Sequence, residues 1–112
     1  QYDAVVVHAG LVPGVSLADQ RTEDMTRMRD LEPLPDGGWR AVEKGGSRPW
    51  ATEWHGAHVV FGHDAKRRLQ RHEHATGLDT GCCYGGELTA LLLPEHRLVS
   101  VPAKRQYEAK NG

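Results

Sequence analysis

Phenylalanine occurs once among the 112 residues, and cysteine and methionine twice each. With so few large side chains of these kinds, a core has to come mainly from valine, leucine and tryptophan. The two cysteines, Cys82 and Cys83, are adjacent, which is poor geometry for a disulfide, so a reducing and cytoplasmic setting is the simple expectation. The longest apolar run lies within TALLLP, far short of the ~20 residues of a spanning helix, and no signal-peptide pattern opens the chain. A membrane is not an expected partner. Neither sign of charge dominates, the formal net charge being −1, so there is no basic field to signal nucleic-acid binding. Also missing are a G-x-S-x-G nucleophile turn, a phosphate-loop lysine and the glycine spacing of a dinucleotide fingerprint.

What is present is a hydrophobic fraction of 38%, a charged fraction of 26%, thirteen glycines and seven histidines. That balance suits one soluble globular domain at most. The chain starts on Gln1 with a strand over Tyr2–Val7 directly behind it, and such a start predicts that a preceding segment has been lost.

Residues 4–7 are continuously apolar, which predicts a strand covered on both faces. Ser16 is placed to cap LADQ. Thr22 is placed to cap a helical turn through EDMTRMRD, with Met25, Met28 and Leu31 as a core-filling stripe and Pro33 and Pro35 as its stop. Leu34–Pro49, with two Gly-Gly pairs, reads as a solvated loop. A short helix over Trp50, Ala51 and Trp54 then packs an aromatic pair on the body. HVVFGHD at 58–64 predicts a second buried strand, and AKRRLQRHEH is too polar to carry a core. ATGLDTG supplies a short strand and a glycine-rich turn. A long apolar strand at 88–93 is expected to pair antiparallel with 98–101 across PEHR, and the tail from Lys104 reads as solvated.

VVVHAG and HVVFGHD share one grammar: an apolar run, a histidine at the strand end, and a glycine beside it. On neighbouring parallel strands, His8 and His63 would meet at one sheet edge, where open α/β folds bind ligands. Imidazole there suits zinc, manganese or iron, and glycine lets the backbone approach. A histidine satisfied by local backbone explains either residue equally well in isolation. His72 and His74 sit among Arg67, Arg68 and Arg71, whose field opposes a cation, and read as surface. His55, His58 and His96 read as structural or exposed.

Taken in order, VVHAGLVPG, FGHD and LDTGCCYGGELTALLL resemble the C-terminal half of calcineurin-like metallophosphoesterases over about residues 4–102. The branch is of the phosphoprotein-phosphatase type, close to the eukaryotic ApaH-like phosphatases, relatives of bacterial symmetrical diadenosine tetraphosphatase. The resemblance implies an α/β fold, part of a four-layered α/β-β/α sandwich, with residues 1–112 as the C-terminal portion of one phosphoesterase domain. It implies that His8 and His63 ligate one ion of a two-metal centre (Mn, Zn, Fe or Mg), and that Tyr84 lies beside the phosphate. Arg29, in MRDL, and Arg48 are candidate substrate contacts, Arg29 with a structural role as its alternative. In this family a two-metal centre activates a hydroxide that attacks phosphorus in line.

The family's Asp-x-His, Gly-Asp-x-x-Asp-Arg-Gly and Gly-Asn-His-Glu motifs do not occur here. No catalytic residue can be assigned, the missing N-terminal half becomes the expected partner, and the chain alone is expected to be inactive. The substrate classes implied are a dinucleoside polyphosphate, a nucleotide-capped RNA, polyphosphate or a phosphoprotein. A non-catalytic binding or regulatory module of the same fold is the alternative.

Overall fold

A computed structural model of the protein describes residues 4–109; Gln1, Tyr2 and Asp3, where the first strand was expected to begin, lie outside that range. The opening valine run forms β1 (Ala4–Val6), and the second forms β5 (His58–Phe61). The two pair in parallel, Ala4 against His58 and Val6 against Val60. β7 (Ala75–Gly77) joins the other edge of β5, also in parallel, and β6 (Gln70–Arg71) closes the sheet antiparallel to β7. The order β1-β5-β7-β6 is therefore a mostly parallel sheet, as two apolar runs with an intervening crossover require.

The crossover is the part the sequence pattern described least well. The helix, α1, covers only Thr22–Arg27, with Thr22 as its first residue rather than its cap. Met28 already has ψ 148°, and Leu31 belongs to a strand, β2 (Asp30–Pro33). The spacing of Met25, Met28 and Leu31 mimics a helical stripe, yet Met28 and Leu31 reach the core from extended backbone, at 2% and 0% exposure. Pro33 therefore ends a strand rather than a helix. The segment expected as a loop contains β3 (Trp39–Val42) and β4 (Arg48–Pro49), which flank β2 in a three-stranded antiparallel sheet. Its hairpin is closed by the Gly38 amide donating to Asp36 Oδ1 at 2.8 Å and the Leu34 amide to the Gly38 carbonyl at 2.8 Å.

Trp50 opens the short 3-10 turn Trp50–Glu53 and is 1% exposed. Its ring meets Phe61 edge-on at 4.8 Å and Trp54 at 6.3 Å, the tilted geometry aromatic pairs prefer. Leu11, Met28, Leu31 and Val59 complete the largest buried side chains. Gly10 is required beneath Trp50, because a Cβ there would lie 2.5 Å from the indole Nε1.

β8 (Glu87–Leu92) and β9 (Arg97–Pro102) form the expected antiparallel hairpin. It is fastened at its base by a hydroxyl relay. Thr80 donates to the Glu87 carbonyl at 2.6 Å, Thr89 contacts Thr80 at 2.7 Å, and Ser100 contacts Thr89 at 2.8 Å. The tail is not wholly free: the Tyr107 and Glu108 amides both donate to the Cys83 carbonyl at 2.7 Å. Among the described residues, one apolar face stays open. β1 is an edge strand and not covered on both sides, with Val6 81% exposed, and Leu88 across from it is 61% exposed. No helix among the described residues is long and apolar enough to cross a membrane.

Candidate metal centre at two strand ends

β1 and β5 release their chains side by side, and backbone hydrogen bonds continue the pairing past the strand ends. The Val7 amide donates to the Val60 carbonyl at 3.1 Å, and the Gly62 amide to the His8 carbonyl at 2.9 Å. This zipped exit brings the two histidines together, with ring centroids 5.0 Å apart and planes inclined by 54°. His8 is exposed and His63 half-buried. Both line an open groove of about 440 Å3, together with Gly62, Asp79, Thr80, Cys82 and apolar Val6, Val60, Leu78 and Leu88.

His63 sits at φ +72°, a left-handed conformation uncommon for a residue with a Cβ. Its Nε2 lies 3.1 Å from the Arg27 carbonyl. A carbonyl only accepts, so Nε2 carries the proton and, in the neutral ring, Nδ1 keeps a lone pair free for a ligand bond. Asp64, next in sequence, is engaged by Arg67 instead. Burial, followed by the Arg29 charge, pushes the His63 ring below the usual histidine range, although its hydrogen bond to Arg27 opposes this. The neutral form is thereby favoured.

These donors fit a borderline divalent cation in kind: two imidazoles presented at the ends of paired strands. They do not complete its coordination, since no group of three or more His, Cys, Asp or Glu suited to a metal occurs among the described residues.

The other expected site residues fall differently. Arg29 points at carboxylates, with Nε 3.7 Å from Asp64 Oδ1 and Nη1 3.8 Å from Glu43 Oε1. Arg48 pairs with Glu53, its guanidinium 5.8 Å from the Trp39 ring centroid; neither partner lines the groove. Tyr84 ends the 3-10 turn Cys82–Tyr84, its amide on the Gly81 carbonyl at 2.9 Å, and is not among the groove residues although Cys82 is. Arg67 was read as part of a surface field, yet it bridges two buried carboxylates, Asp64 at 2.8 Å and Asp30 at 2.7 Å. No local pattern reveals the Arg27 carbonyl or the Asp30 contact. The Asp64–Arg67 spacing was the one available sign.

His72 is half-buried rather than superficial, with Nε2 3.1 Å from Gln70 Oε1. His58 bonds Thr76 Oγ1 at 2.8 Å and meets the His96 ring at 4.7 Å. Burial holds both rings below the ordinary value; for His58 the neighbouring His96 and His74 add to it. The folded state thus resists protonating them, whereas the unfolded chain protonates near the ordinary value, about 6.5. Their contribution to stability is complete above that value and is lost as pH falls through the lower folded values. The melting temperature is expected to drop between about pH 7.5 and about pH 5.5, and His58→Gln should shrink the drop. A melting temperature that rises on acidification would contradict this.

A mostly parallel sheet joined to antiparallel sheets matches one part of a diadenosine tetraphosphatase fold. The particular relatives are tetraphosphatases. The chain is 33% identical over 111 residues to the asymmetrical bis(5'-nucleosyl)-tetraphosphatase PrpE of Bacillus velezensis, covering 96% of the chain and 42% of that protein. It is 34% identical over 110 residues to the same-named protein of Anoxybacillus flavithermus, covering 95% of the chain and 42% of that protein. A crystal structure designated that of a candidate diadenosine tetraphosphatase superposes with a TM-score of 0.83 at 39% identity, over 99% of this chain and 49% of that one. No protein-family model matches. The resemblance to the ApaH-like phosphatases, the diadenosine tetraphosphatase relatives, therefore holds over almost the whole chain. These curated relatives are bacterial and named asymmetrical, where the motifs had pointed to the eukaryotic branch. The chain spans less than half their length.

Proposed function

We propose that residues 1–112 are one portion, the C-terminal one, of a single metal-dependent phosphoesterase domain acting on a dinucleoside polyphosphate. The observation that carries the reading is the His8–His63 pair, 5.0 Å apart at the edge of a parallel sheet, in a chain whose relatives are named for tetraphosphatase activity. His8 and His63 would hold one divalent ion through neutral nitrogens, His63 through Nδ1 because Arg27 occupies Nε2. Divalent ions held there would neutralise phosphate charge and acidify the attacking water. The phosphate contact at Tyr84 rests on the family resemblance alone, because Tyr84 does not line the groove, and Arg29 and Arg48 are engaged by carboxylates.

The remaining ligands are assigned to a partner portion of the same domain. Two observations support that assignment. Too few donors converge on the histidines for a complete centre, and the groove beside them exposes Val6 and Leu88, apolar surface that a second layer would cover. The test is hydrolysis by the complete natural protein of diadenosine tetraphosphate, capped RNA, polyphosphate and a phosphopeptide, with manganese, zinc or magnesium. Chelator-sensitive cleavage of diadenosine tetraphosphate to a triphosphate and a monophosphate is expected. Failure to hydrolyse diadenosine tetraphosphate with any of the metals would overturn the proposal.

A further inference from the structure

The His63 backbone is not self-supporting. A residue with a Cβ at φ +72° is strained and persists only where its surroundings over-determine it. Two segments do so here. The Arg27 carbonyl holds the ring, and Asp64 anchors the loop immediately after it. Two side chains join these segments: Arg29 by the longer contact, Nε 3.7 Å from Asp64 Oδ1, and Arg67 by the shorter ones, Nη1 2.8 Å from Asp64 Oδ2 and Nη2 2.7 Å from Asp30 Oδ1. Asp30 belongs to the same stretch as Arg27, and Arg67 Nη1 also lies 3.5 Å from the intervening Arg29 carbonyl.

Both carboxylates are buried, with side chains 7% and 6% exposed, while the Arg67 side chain is 36% exposed. Asp30 Oδ1 has no directional hydrogen bond, so its compensation is the Arg67 charge. Asp64 keeps a secondary contact to Gln70 Nε2 at 3.5 Å and the longer one to Arg29. Asp30 Oδ2 accepts from the Gly46 amide at 3.1 Å. A planar fork reaching two carboxylates at once is a geometry lysine cannot reproduce.

We propose that Arg67 is a positioning residue for His63. By bridging Asp64 and Asp30 it locks the His63 loop onto the 27–30 segment, which keeps Nε2–H on the Arg27 carbonyl and leaves Nδ1 free for a ligand. Its consequence for metal binding rests on the reading of His63 as a ligand; the orientation of the ring does not.

The test uses the complete natural protein with nitrogen-15 histidine, free of metal, at one neutral pH. The wild type is expected to show His63 as a single Nε2–H tautomer. Arg67→Ala is expected to lose that signature, and its affinity for Mn2+ to fall about 10–100-fold, the range for removing a partner that orients a ligand. Arg67→Lys, which restores the charge to one carboxylate, should recover part of both, and it carries the test should Arg67→Ala not fold. A folded Arg67→Lys or Arg67→Ala protein that keeps the single tautomer overturns the proposal. Mn2+ affinity unmoved by His63→Ala overturns instead the assignment of His63 as a ligand, and the tautomer signature still decides the role of Arg67.

Discussion

Replacing His63 by alanine in the complete natural protein is expected to lower phosphoesterase turnover by at least about a hundredfold, the upper end of what losing an outer partner costs. His8→Ala should do the same. Each removes a ring nitrogen that Val7–Val60 and Gly62–His8 backbone bonding delivers to the same point, and no group of three or more His, Cys, Asp or Glu suited to a metal occurs among the described residues. Because both rings serve one ion, the losses should not multiply: the double variant is expected to resemble either single one. Metal content should fall with the rate, and circular dichroism should stay unchanged, since His8 is exposed and His63 half-buried. Wild-type turnover in both single variants would remove the basis for the site.

The largest effect on stability is expected at Trp50. Its indole is 1% exposed and touches Phe61 and Trp54, and it fills the space that Gly10 leaves open. Truncation to alanine should cost about 3–5 kcal/mol, a large share of the ~5–15 kcal/mol that stabilises a typical domain. A urea midpoint measured on the complete natural protein checks this, read against an unchanged slope. A loss below about 1 kcal/mol would mean that the core is not organised around this ring. The aromatic pairing itself was legible in the sequence, because Trp50 and Trp54 are the only large apolar side chains in their segment.

Legibility followed locality. β1 and β5 could be read because each is a short valine-rich run ending in histidine and glycine, and parallel pairing then followed from the crossover between them. The β8–β9 hairpin could be read because its strands are close in sequence and joined by a turn. The β2–β3–β4 sheet could not. Prolines and paired glycines dominated the reading of 34–49, although Asp36-Gly37 between two short strands is itself a hairpin signal. Trp39–Val42 and Arg48–Pro49 are also too short to show a period. Met25, Met28 and Leu31 misled for the opposite reason: a helical spacing arose by coincidence across a helix end.

The candidate site divides in the same way. His8 and His63 were visible as strand-end residues. What orients His63 was not, because its acceptor is a main-chain carbonyl and Asp30 reaches Arg67 from a distant segment. Arg67 looked like one member of a basic cluster, and only the fold shows its charge balanced by two buried carboxylates.

Everything proposed for the groove depends on His8 and His63 being ligands of one ion. The most direct measurement is the anomalous-scattering position of Mn2+ or Zn2+ in crystals of the complete natural protein. The expected result is an ion bonded to one nitrogen of His8 and to Nδ1 of His63, at about 2.0–2.1 Å for zinc, with His63 Nε2 still on the Arg27 carbonyl. Fully loaded ions that leave both imidazoles uncoordinated would contradict it.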